Sequence, residues 1–160
     1  MAGVSIDVET ISPTSTGGFL RFFGRGRLVY SAKFLCGTIT GARAFPDPAN
    51  KYLLVPGVYL TAVNIHNPNA FRVDFTKQAV IVNPQRLEER GKIGAPVRES
   101  LEANAGVEVD CEDINNLLGV STLLLNDFHT GFVVINSPRT LIVTVVYTLE
   151  RLRIDTAQAS

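Results

Sequence analysis

The sequence predicts an all-β protein, a two-sheet sandwich of jelly-roll or immunoglobulin-like type with two short helices in a loop insertion. Three observations predict it. Apolar and polar residues alternate with a period of two through several runs, Pro-, Gly- and Asn-rich clusters separate those runs, and no long 3.6-residue period appears. The strongest stretch is Phe128–Glu150, where β-branched runs flank Asn136-Ser137-Pro138-Arg139 and read as a paired hairpin. Leu141, Val143, Val145, Tyr147 and Leu149 point one way and need cover. Ile142, Thr144, Val146, Thr148 and Glu150 point the other. An isolated strand pair is marginal, so further strands must pack on it.

Taken in order, Val4, Ile6 and Val8 alternate with Ser5, Asp7 and Glu9, a short strand with one apolar edge. Ser12-Pro13-Thr14-Ser15-Thr16-Gly17-Gly18 reads as a flexible connector, so residues 1–18 form an arm ahead of a sandwich domain at 19–154 and a polar tail at 155–160. Phe19, Phe22 and Phe23 interleave with Arg21, Arg25 and Arg27, a pattern that suits aromatic anchors at an intersubunit contact. Leu28–Thr40 is a long strand with Tyr30, Ala32, Phe34 and Cys36 on its apolar face. Val58–Asn67 is a second, and Phe71, Val73 and Phe75 belong to a third, joined to it by a tight hairpin at Asn67-Pro68-Asn69. Arg98–Ala105, followed by Gly106, predicts the first short helix, and Val107–Cys111 a brief strand. Asp110 then caps a second helix, with Ile114, Leu117 and Leu118 on one face and Gly119 at its end. Thr122–Leu125 predicts another strand.

Composition bounds the partners. The 160 residues suit one domain, and 15 basic against 15 acidic side chains give no general electrostatic hold on nucleic acid or anionic membrane. No apolar run reaches the roughly 18 residues a membrane helix needs. The first ten residues lack a basic and apolar signal segment, which makes cytoplasmic synthesis the default and extracellular assembly the alternative. Cys36 and Cys111 are read as reduced and buried, with a single bridge between them as the alternative.

The search for chemistry returns little. His66 and His129, with Asp74 or Asp127, are the only candidates for a cupin-like metal site, and their spacing does not argue for one. Cys36 with His66 is conceivable as a nucleophile pair, but an apolar setting raises a thiol's pKa. Asn64, His66 and Asn67 offer amides and an imidazole to a small polar ligand or glycan, although turn geometry also explains them. No cofactor is expected.

Lys33-Phe34-Leu35-Cys36-Gly37, Pro56-Gly57-Val58-Tyr59-Leu60-Thr61 with Asn64-Ile65-His66-Asn67, Gly131-Phe132-Val133-Val134-Ile135 with Ser137-Pro138, and Val146-Tyr147-Thr148 together resemble a group of uncharacterised bacterial β-rich proteins. The resemblance spans most of Leu28–Thr148 and implies no activity. The leading expectation is therefore a non-enzymatic, self-assembling structural subunit. Val4, Ile6 and Val8, with Phe19, Phe22 and Phe23, would add a strand to a neighbouring copy and build a ring or filament. The alternatives are a binding module using Asn64, His66 and Asn67, and a metal enzyme.

Overall fold

A computed structural model describes residues 3–16, 27–39, 55–83, 90–120 and 128–151. These form mostly β-strands: β1 (Val4–Ile11), β2 (Thr14–Thr16), β3 (Arg27–Ile39), β4 (Gly57–His66), β5 (Val73–Ile81), β6 (Val97–Leu101), β7 (Gly106–Val109), β8 (His129–Ser137) and β9 (Ile142–Arg151). The described residues hold one helix, α1 (Cys111–Leu118). All nine strands join one antiparallel sheet in the order β1-β9-β4-β3-β8-β5-β6, with β2 on β3 and β7 on β4.

The alternation in the sequence sets which face is buried. Tyr30, Ala32, Phe34 and Cys36 of β3 join Val63 and Ile65 of β4, Val73 and Phe75 of β5, Val133 and Ile135 of β8, and Val143 and Val145 of β9 in one core. Strand β3 links the two ends of the strand order. Residues 28–36 pair with β8, whereas 37–39 pair with β4. The change of partner falls at Gly37, whose φ of 112° lies in the left-handed region that glycine tolerates. Two steps beyond the last β3–β4 pair, the buried Thr61 hydroxyl accepts from Leu35 N–H and donates to Leu35 C=O, both at 2.9 Å. A side chain thus satisfies backbone groups at the point where the ladder forks.

Three pairings differ from the sequence reading. The Phe128–Glu150 stretch is not a hairpin: β8 pairs with β3 and β5, and β9 with β1 and β4. The connection is an arch instead. Ser137 Oγ accepts from Arg139 N–H and donates to Arg139 C=O, and the Leu141 N–H donates to the buried Tyr30 hydroxyl at 2.8 Å. These bonds replace the ladder that a hairpin would have supplied. The expected hairpin of the second and third strands is likewise a crossover, because β4 and β5 share no pairing and Asn67 turns the chain between them. The third difference is at Arg98–Ala105, read as helix. Residues 97–101 are strand β6, paired with β5, because Leu101 opposite Val73 enters the core. Tertiary burial overrides the helix-forming composition here. The chain then turns at Asn104, whose φ is 61°.

The second expected helix is present. Asp110 caps α1 by accepting from Glu112 and Asp113 N–H, Asp113 reciprocates to the Asp110 N–H, and Gly119 ends the helix at φ 60°. Ile114, Leu117 and Leu118 are buried as the spacing requires. Cys111, in its first turn, is bonded to Cys36 across 75 residues. The reading of two reduced thiols is thereby corrected. Both cysteines face the same core, so the burial inferred from sequence held while the redox state did not.

The arm also differs from expectation. Strand β1 pairs with β9 of its own chain over all eight residues, from Val4 opposite Glu150 to Ile11 opposite Val143. The edge of β9 needs a hydrogen-bonding neighbour, and the chain's own first strand supplies it. Residues 14–16 of the connector pair with β3 as strand β2. Register sets Ser5, Asp7 and Glu9 on the face of β9 that carries Tyr147 and Val145, and sends Val4, Ile6 and Val8 to the outer face, 61–66% exposed.

Candidate ligand-binding groove

A concavity of about 600 Å³, open to solvent, lies on the outer face of β3, β8, β5 and β6. Residues opposite one another in a ladder share a face, which makes the lining legible from the register. One row runs Val29, Asn136, Thr76, Arg98 across four strands. The next carries Asp74 opposite Ser100, with Arg27 at the start of β3 and Arg72 just ahead of β5. At strand spacings of about 4.8 Å the row spans about 14 Å. β3, β8 and β5 lie inside the sheet, whereas β6, which carries Arg98 and Ser100, is its edge strand.

Three arginines and two carboxylates line the groove. Arg72 Nε donates to Asp74 Oδ1 at 3.2 Å and reaches Glu102 at 3.8 Å. Glu99 is held at 2.8 Å by Lys77, whose side chain is only 12% exposed. Both carboxylates therefore have cationic partners already. The Arg98 side chain, exposed on β6, makes no ion pair or hydrogen bond among the described residues. Thr76, Ser100 and Asn136 add hydroxyls and an amide. The arrangement can donate and accept hydrogen bonds over an extended polar surface and can meet an anion.

The residues singled out from sequence go elsewhere. Asn67 is fully buried: its Nδ2 donates to Phe71, Leu101 and Glu102 C=O at 2.8–3.0 Å, and its Oδ1 accepts from the backbone and side-chain N–H groups of Asn69. It is a turn fastener, with no capacity left for a ligand. Asn64 and His66 lie on the outer face of β4, opposite Thr144 and Ile142 of β9, on a different ladder from the groove. His129 stands opposite Cys36 on β8. Among the described residues no three His, Cys, Asp or Glu side chains converge as metal ligands, and Asp127 lies outside those residues. Cys36 cannot act as a thiolate nucleophile because it is bridged. Phe19, Phe22 and Phe23 lie outside the described residues, as do residues 122–125. No described helix is long and apolar enough to cross a membrane.

A smaller cavity of about 110 Å³ lies beside β1, lined by Ser5, Asp7, Tyr59 and Tyr147. The Tyr147 hydroxyl sits 3.1 Å from Lys33 C=O and 3.4 Å from a Glu9 carboxylate oxygen. Burial, followed by the negative charge of Glu9, pushes its pKa up to about 12. A space of that volume suits a few waters rather than a ligand.

The groove residues escaped the sequence reading for a physical reason. Arg72, Asp74 and Thr76 alternate visibly as the polar side of a strand, but the composition around Arg98 favours a helix, and register across four strands is not written in any local stretch. No family model matches the chain, and no curated protein does. Among solved structures it is similar to one from work on the carbohydrate-binding modules of the β-sandwich superfamily, at 9% identity and a TM-score of 0.31, over 96% of this chain and 58% of the other. This chain thus spans 58% of that structure's length, and a likeness of this degree carries no argument about function.

Proposed function

We propose that the chain is a non-enzymatic binding module whose site is the polar groove on the outer face of β3, β8, β5 and β6. In this reading the sheet doubles over at Gly37 into the two layers of a sandwich, and the groove is the outer surface of one layer. The single observation that carries it is the cross-strand row Asn136, Thr76, Arg98 within a 600 Å³ concavity. A lining of hydroxyl, amide and guanidinium groups fits a polyhydroxylated small molecule or glycan better than an apolar one. The test is a panel of soluble mono- and oligosaccharides followed by backbone amide shifts. Binding should move the amides of Thr76, Arg98 and Asn136. Shifts gathered at Asn64 and His66 instead would move the site to β4.

A second reading, self-assembly, is favoured by one specific feature. Strand β1 is held by its ladder to β9, and its Val4, Ile6 and Val8 side chains stand in solvent, on the face where Leu60, two strands away across Thr148, is 42% exposed. The same ladder could form between two copies with no new contacts. Zero formal net charge leaves those copies without mutual repulsion.

A further inference from the structure

We infer that the ligand of this groove is an acidic saccharide, and that Arg98 is the residue that reads its carboxylate or sulfate. The inference rests on the binding-module reading and deepens it. Its basis is local charge in a chain that is neutral as a whole. Three guanidinium groups meet in one groove, while the carboxylates near them are engaged by Arg72 and Lys77. Arg98 therefore presents a cation and a planar fork of donors with nothing to receive them among the described residues. A guanidinium so placed matches a two-oxygen anion by parallel hydrogen bonds. Across the adjacent strands, Thr76 and Asn136 stand in the same row, about 5 and 10 Å away at ordinary strand spacing. They are within reach of the hydroxyls on the ring that bears the anion. Among the described residues no aromatic ring lies in the row to act as a stacking platform for a neutral sugar: Phe75 of the lining is buried at 3% exposure, and Phe132, 37% exposed on the same face, is two rows away, beside Lys33. Polar and ionic recognition is what the row offers.

The experiment is isothermal titration of the full chain with four probes: oligogalacturonate, a sulfated glycosaminoglycan disaccharide, a neutral xylo-oligosaccharide and inorganic phosphate. Either acidic saccharide should bind, should weaken as salt is raised, and should lose about tenfold in affinity in Arg98→Ala, with partial recovery in Arg98→Lys. The two acidic probes separate a carboxylate from a sulfate source. Arg98 is exposed, so its replacement spares the fold. Asn136→Asp, which adds a repelling carboxylate to the row, should weaken the acidic probes as a second variant. If the neutral saccharide binds as tightly and Arg98→Ala is silent, the acidic ligand is refuted while the groove stands. Phosphate binding as well as the saccharides would reduce the site to an anion hold and also refute the inference. Should none of the four bind, the binding-module reading falls with it.

Discussion

Asn67 fastens three pieces of chain with one side chain. Its amide reaches Phe71, Leu101 and Glu102, its carbonyl oxygen takes two bonds from Asn69, and its own N–H donates to Ala105 C=O at 2.9 Å. Asn69 continues the knot by donating to Thr140 C=O at 2.9 Å, which ties the crossover after β4 to the arch before β9. Replacing Asn67 with Ala leaves the buried Leu101 carbonyl and the part-buried Phe71 and Glu102 carbonyls without this partner and should cost about 3 kcal/mol of stability, measured by urea unfolding, since each orphaned buried group costs about 1–3 kcal/mol. The groove is built from other residues, so ligand affinity in the surviving folded protein should not change. A sequence shows Asn64, His66, Asn67 and Asn69 as one polar cluster. Strand alternation sends the first two outward, whereas the turn draws Asn67 into the interior. Residue type was legible; the direction it faces at the end of a strand was not.

At the scale of elements, periodicity revealed which residues form strands and which side each buries. Tyr30, Phe34, Val63, Val143 and Val145 all went inward as their spacing required. Partners were not legible. Neighbours in sequence, β8 and β9 or β4 and β5, look like hairpins because a turn cluster joins them, but each pair divides between different ladders. Which edge a strand joins depends on contacts far away in the chain, and a local pattern holds no record of them. The bridge between Cys36 and Cys111 belongs to this scale, since it ties β3 to α1 over 75 residues. Closing a loop of that length restricts the unfolded chain by about 4.5 kcal/mol in the chain-entropy description. Reduced protein, or the Cys36→Ser/Cys111→Ser double variant, should lose stability of that order in urea relative to the oxidised form. Equal midpoints with and without reductant would show that the bridge contributes nothing.

For the whole molecule, the outward apolar row of β1 decides between a lone module and an assembly. Ile6 is 66% exposed, and a lysine there should leave folding untouched because the position makes no core contact. If copies associate through this strand, light scattering of the full chain should show a concentration-dependent oligomer that Ile6→Lys dissolves. A monomer at every concentration, or an oligomer indifferent to the change, removes the self-assembly reading and leaves the groove as the functional surface. Register at this edge has a mechanical consequence as well. Val4 lies opposite Glu150, so the first and last described strands enter and leave the sheet side by side. Tension applied across these two points would not shear the β1–β9 ladder as a block. It would peel the strands apart pair by pair from that end, which makes this seam the place where a stretched molecule yields first.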